Sequence, residues 1–214
     1  MGTATQNMHT TSFLKTILGL LLAVLPAMLP AQIRHMGESA NGKKIGTHAW
    51  FNAQDQKIAE VNYGPAGEVI GFKTWDEKGF LIDDEHLPTK REKFELPEMA
   101  MTFDAEGFGW LIVHGRADDH APQARSGERV GIYYRGILQD GTIFDENFGD
   151  KKPFRFKHNM QEVIPGFDKA VAMLHVGEEG YFLIPAALAY QGQVAGIIPP
   201  FSDLIFHIKL VELN

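Results

Sequence analysis

Cysteine is absent from this chain of 214 residues. Its absence excludes disulfides, thiolate zinc sites and a lipid-modified N-terminal cysteine, and leaves the redox compartment open. Basic charge is in deficit: 20 Lys and Arg against 27 Asp and Glu give a formal net charge of −7. With no basic stripe to follow a phosphate backbone, nucleic acid is a poor partner. An apolar run of the roughly 20 residues that a membrane-spanning helix requires is missing too. The nine histidines show neither HxH nor HExxH spacing, so neither a metal nor a cofactor is expected, and His175 and His207 read as surface positions. Ser126 and Ser202 lack a Gly-x-Ser-x-Gly setting, and the Gly-rich runs lack a phosphate-binding pattern.

The first 31 residues carry one charge, Lys15, followed by the apolar stretch Thr16 to Ala31 with Pro26 and Pro30 near its end. This is the pattern of a secretory signal peptide, with cleavage expected after Ala31 and an uncleaved membrane anchor as the alternative. The terminal Val211-Glu-Leu-Asn214 is no endoplasmic-reticulum retention signal, so the expected destination is the periplasm or cell envelope of a bacterium.

From Asn41 to Leu87 the composition turns to Gly, aromatics and alternating polar residues. Gly46-Thr-His-Ala-Trp50 recurs as Gly71-Phe-Lys-Thr-Trp75, and each copy runs into a turn and then a second strand. Two or three β-hairpins in series follow, in a pattern that resembles MORN-like repeats. So small a module cannot bury a core alone and is expected to pack on its neighbour or a partner. Nothing in it looks catalytic, so the second domain is expected to work to within a few-fold without it. The charged, proline-punctuated stretch from Leu87 to Pro97 reads as a linker, which divides the chain into a leader (1–31), a hairpin module with its linker (32–94) and a second domain (95–214).

In the second domain Phe103 to Gly115 reads as a strand. Val130, Ile132 and Tyr134 alternate on one face, as do Phe182 and Ile184, and then Leu204, Phe206, Ile208 and Leu210. Asp140-Gly141 marks a hairpin turn. Pro165 suits the first position of a short helix, Phe167, Val171 and Leu174 make its apolar stripe, and Gly177 closes the segment.

The motifs Tyr134-Arg-Gly-Ile-Leu-Gln-Asp-Gly-Thr-Ile-Phe-Asp145, Lys152-Pro-Phe-Arg-Phe156, Glu162-Val-Ile-Pro-Gly-Phe167, Ala189-Tyr190, Gly196-Ile-Ile-Pro-Pro200 and Leu204-Ile-Phe-His-Ile208 stand in fixed order. Together they resemble the FKBP-type peptidyl-prolyl cis-trans isomerases over about half the chain, from Phe103 to Asn214. The resemblance implies an α+β domain, an antiparallel sheet of about five strands wrapped on one short helix, preceded here by the hairpin module. It implies acceleration of X-Pro isomerisation in unfolded or partly folded proteins. Tyr134, Asp145, Ile164 and Tyr190 would be the catalytic set, and Phe144, Phe154, Val163, Phe167, Ile198 and Phe206 the substrate-binding set. The alternative is a proline-peptide binding module or holdase without catalysis.

Two departures from the family pattern stand out. Phe167 occupies the floor position where many members carry Trp, which should weaken binding of macrolides of the rapamycin type. The loop Gln191-Gly-Gln-Val-Ala195 is about one residue short, so Val194 receives no role.

Overall fold

A computed structural model of the chain describes residues 33–87, 91–95, 100–114 and 121–214. The leader, its cleavage point and parts of the linker lie outside the described residues. The described chain forms two antiparallel sheets.

The first is a meander of five strands paired in sequence order, β1 (Arg34–Ala40), β2 (Lys43–Phe51), β3 (Lys57–Tyr63), β4 (Val69–Trp75) and β5 (Leu81–His86). The turns that join them are set by single side chains. In the turn after β2 the Asn52 Oδ1 accepts from the Gln54 and Gln56 N–H groups, both at 3.0 Å. After β4 the Asp76 Oδ1 accepts from Lys78 and Phe80 at 2.9 Å. Each turn then needs one left-handed residue, supplied by Asp55 and Gly79. The two stretches that look alike in sequence, Gly46–Trp50 and Gly71–Trp75, therefore occupy equivalent places, the strand leading into such a turn. Hairpins are present; repeats of a known type are not identified.

The second sheet has seven strands where the sequence suggested about five. They are β6 (Thr102–Phe103), β7 (Gly109–His114), β8 (Arg129–Leu138), β9 (Ile143–Glu146), β10 (Phe154–Lys157), β11 (Glu179–Ile184) and β12 (Leu204–Leu213). Their order is β10-β8-β12-β11-β7-β6, with β9 also on β8. The stretch read as one strand from Phe103 is two, because Asp104 makes the same turn as Asp76: its Oδ1 accepts from Glu106 at 2.9 Å and Phe108 at 3.0 Å, and Gly107 is left-handed.

One face of this sheet is apolar by alternation. Val130, Ile132, Tyr134, Phe182, Ile184, Leu204, Phe206, Ile208 and Leu210 are all fully buried. Against them lies α1 (Pro165–Ala172), shorter than the apolar stripe suggested; Leu174 follows it yet is fully buried. Pro165 sits in the first turn, where its missing N–H costs nothing. Asp168, near the positive end of the helix, accepts from the Asn159 N–H at 2.8 Å and pairs with His158 at 3.0 Å. The helix can lie close because Gly166 has no Cβ; one would come within 2.2 Å of Ile184 Cγ2. Burying Phe167 and Val171 contributes about 1.5–3 kcal/mol each.

His175 and His207, read from sequence as surface positions, are half-buried. Their side chains are 23% and 12% exposed and pair with Glu178 at 3.0 Å and Glu179 at 2.6 Å. His207 also stacks on Tyr181, because β12 is flanked on both sides.

Candidate functional site

Strand β8 organises the site. The first part of one of its edges pairs with β10 and the last part with β9, while the other edge pairs with β12 along its length. Tyr134 therefore lies where the two short strands meet, and Gly136 stands in register between Asp145 and Phe206. The break in the edge is filled by Asn147. Its Oδ1 accepts the Tyr134 N–H at 2.6 Å, its Nδ2 donates to the Ile132 carbonyl at 3.2 Å, and its own N–H donates to the Tyr134 carbonyl at 3.0 Å. Sequence reasoning passed over this residue, although a side-chain amide just past Asp145 is what a strand leaving its partner needs to satisfy buried backbone groups.

The Tyr134 hydroxyl donates to Asp145 Oδ2 at 2.6 Å, both residues being buried. Around them the aromatic rings form a continuous web. Tyr134 meets Phe154 and Phe167 edge-on, each at 5.8 Å; Phe167 meets Phe206 at 4.9 Å, and Phe206 meets Phe144 at 5.5 Å. Edge-to-face contacts of this kind add about 0.5–1.5 kcal/mol each to simple burial. Val163, Ile164, Tyr190 and Ile198 belong to the same buried cluster. Nine of the ten residues singled out in the sequence thus belong to the buried core of this domain, and the tenth, Asp145, is bonded to it through Tyr134. They differ in depth: Phe144, Asp145, Tyr190, Phe154, Val163 and Ile164 keep 5–9% exposure, whereas Tyr134, Phe167 and Phe206 keep none.

Ile164 precedes α1 in extended conformation, φ −62° and ψ 147°, and its carbonyl accepts from Phe167. Its N–H lies outside the helical ladder, as the N–H groups at a helix start must. Burial, and next the nearby Asp145, push the Tyr190 hydroxyl up to about 12, so it remains a hydrogen-bond donor throughout the physiological range.

A cleft of about 250 Å³ lies elsewhere, between Lys43, Lys44 and Tyr63 of the meander and Leu138, Asp140 and Asp203 of the second sheet. Burial lowers the Lys44 ammonium, against the attraction of Asp203, and raises the Tyr63 hydroxyl. Among the described residues no cluster of His, Asp or Glu is arranged to hold a metal ion.

Residues 121–211 match the FKBP-type peptidyl-prolyl cis-trans isomerase family, and this part of the chain is an FKBP-type domain with an antiparallel sheet and one short helix. A Saccharomyces cerevisiae protein named peptidyl-prolyl cis-trans isomerase is 43% identical over 135 residues, 63% of this chain and 33% of its own length. FK506-binding protein 2 of Yarrowia lipolytica is 42% identical over 93 residues, 43% of this chain and 65% of its own. FkpA from Escherichia coli is 26% identical with a TM-score of 0.49, covering 55% of this chain and 53% of its own. The chain spans about a third of the length of the Saccharomyces relative.

Proposed function

We propose that the chain is a peptidyl-prolyl cis-trans isomerase that acts on X-Pro bonds of unfolded or partly folded proteins. The observation that carries this reading is the buried aromatic web, with its one carboxylate–hydroxyl pair, inside a domain of FKBP type. The residues that keep slight exposure serve as the rim of a proline pocket, and Tyr134, Phe167 and Phe206 as its base.

Rotation about an X-Pro bond is slow because amide resonance must be broken, at a barrier of roughly 20 kcal/mol. The twisted state is less polar than the planar amide, so water-poor, apolar surroundings disfavour the ground state relative to it. Lowering the barrier by about 5.5 kcal/mol corresponds to roughly ten-thousandfold. Polar groups then orient: the Ile164 N–H and the Tyr190 hydroxyl bond peptide carbonyls, while Asp145 and the Tyr134 hydroxyl border the carbonyl that turns. No proton is transferred and no covalent intermediate forms.

The test is the cis-to-trans rate of a short prolyl peptide. Catalysis is expected, and kcat/KM should be nearly flat from pH 6 to 8, because Tyr190 titrates far above that window and no base takes part. Absence of turnover with retained peptide binding would leave the alternative, a proline-binding module or holdase. A sigmoid across the window would replace the mechanism with acid–base chemistry. Phe167 at the base implies weak binding of rapamycin-type macrolides.

The proposed arrangement is a leader (1–31), a hairpin module with linker (32–94) and the isomerase domain (95–214), supported by the separate pairing of the two sheets. We infer export from Lys15 and the apolar stretch after it, with the periplasm or envelope as destination. In a fungus, the source of both yeast relatives, the same leader would direct the chain into the secretory pathway. Intact mass of the protein recovered from its compartment is expected to begin near Gln32, and a chain retaining Met1 would remove the reading. Among the described residues no helix is long and apolar enough to cross a membrane.

A further inference from the structure

The meander is too small to be self-sufficient. Its buried apolar core is Trp50, Ala59, Val61, Val69 and Phe72, and among the residues that complete it are Val194 and Phe201 of the other sheet's long loop. The Trp50 and Phe201 rings lie nearly parallel, 14° apart in plane and 5.2 Å between centroids. Val194 and Phe201 bracket Ala195 and Ile198, which pair with each other in a tight turn, and Ile198 is one of the pocket residues.

Phe201 has φ +56°, a left-handed conformation that bulky residues avoid. Such a residue persists where its surroundings over-determine it. Here the Phe201 N–H donates to the Gln191 carbonyl at 2.6 Å, closing the base of the loop next to Tyr190, and its ring rests on Trp50. Gly192 leaves room for that ring; a Cβ there would meet Phe201 Cζ at 2.9 Å. Asp203 fixes the far side, its Oδ1 accepting the Ala186 N–H at 2.8 Å just ahead of Tyr190. Strain at Phe201, the closed base and the ring on Trp50 make one unit.

We propose that Trp50 is a positioning residue for isomerisation: by seating Phe201 it holds the loop from Gln191 to Phe201, and so sets Tyr190 at the pocket rim and the more deeply buried Ile198 in its wall. The inference rests on the isomerase reading above. It reverses the expectation from sequence that a short peptide would not need the hairpin module. Trp50 touches no substrate and acts through Phe201.

The experiment compares Trp50→Ala, Trp50→Phe and Gly192→Ala in the full chain, by kcat and KM on a short prolyl peptide and by amide hydrogen exchange. Loss of an aromatic pair of ordinary strength corresponds to roughly a threefold to tenfold change. Trp50→Ala should lower kcat/KM by that factor, mainly through KM, with faster exchange from Gln191 to Phe201. Trp50→Phe should restore most of it. Gly192→Ala, which displaces the Phe201 ring without altering any residue of the meander, should reproduce the loss with less change of exchange in β2 to β4 than Trp50→Ala gives. The proposal is overturned if neither alanine variant changes loop exchange or kcat/KM, or if Trp50→Ala alone is impaired, which would trace its defect to an unfolded meander. A parent chain without turnover would remove the isomerase reading instead, and the exchange data would still show whether Trp50 holds the loop.

Discussion

Phe206→Ala is expected to lower kcat/KM for a prolyl peptide by roughly a hundredfold, equivalent to about 2.7 kcal/mol of transition-state stabilisation. The Phe206 ring has no exposure and meets three others of the site, Phe167 at 4.9 Å, Phe144 at 5.5 Å and Tyr134 at 6.4 Å. Its removal both opens the apolar base to water and releases the rings that shape it. The fold pays as well: truncating a fully buried Phe costs about 3–5 kcal/mol, a large part of the 5–15 kcal/mol that holds a typical domain together. Phe206→Leu therefore accompanies it, since it leaves a smaller cavity than Ala does and so keeps more of the fold's stability. Phe167→Ala should behave as Phe206→Ala does. Asp145→Asn, which retains an acceptor for the Tyr134 hydroxyl, should have a smaller effect than either. Stopped-flow prolyl-peptide kinetics beside thermal melts check the order. A larger loss from Asp145→Asn than from the folded Phe206 variants would place catalysis in the carboxylate and not in the apolar base.

The parts of this arrangement that sequence made legible are those governed by local periodicity. Alternation along β8, β11 and β12 identified the buried face, because each strand has one side on the core, and Val130, Ile132, Tyr134, Phe182, Ile184 and Phe206 are all fully buried. Pro165 marked the helix start because its constraint is local. The break after Phe103 was not legible from hydropathy because apolar residues resume at once with Phe108 and Trp110; the signal was Asp104 with Gly107, the spacing that Asp76 and Gly79 also show. The stretch read as linker is partly docked. The Phe94 N–H donates to the Gly141 carbonyl at 2.7 Å and the Ile143 N–H to the Glu92 carbonyl at 3.1 Å, and nothing in a charged sequence announces backbone pairing at such separation. The same is true of Trp50 on Phe201. Two aromatic residues this far apart in the chain carry no pattern that joins them, so the loop's support became visible only in the fold.

The second large effect is expected at a residue that has no side chain. Gly136 stands in register with Phe206 on one side and Asp145 on the other, and a Cβ added to it would lie 2.3 Å from Phe144 Cε2 and 2.4 Å from Cζ. Real Cβ atoms do not approach so closely, so in Gly136→Ala the Phe144 ring must move. It cannot retreat inward, because Phe206 meets it edge-on at 5.5 Å, and β8 cannot yield easily between its paired neighbours. The ring must turn toward solvent, and Asp145, the next residue on β9, is pulled with it. Overpacking of this kind costs about 1–3 kcal/mol in stability, less than the loss of Phe206. The kinetic effect should be disproportionate, roughly tenfold to a hundredfold in kcat/KM, since a misplacement of about 1 Å at a site of this kind is enough for such a loss. The compensating variant separates shape from stability. In Gly136→Ala with Phe144→Leu, the shorter side chain accepts the new methyl, so stability should return toward that of Phe144→Leu alone while turnover stays low. A Gly136→Ala chain with parental kcat/KM would show that the position of Phe144 does not matter to catalysis and would remove it from the pocket.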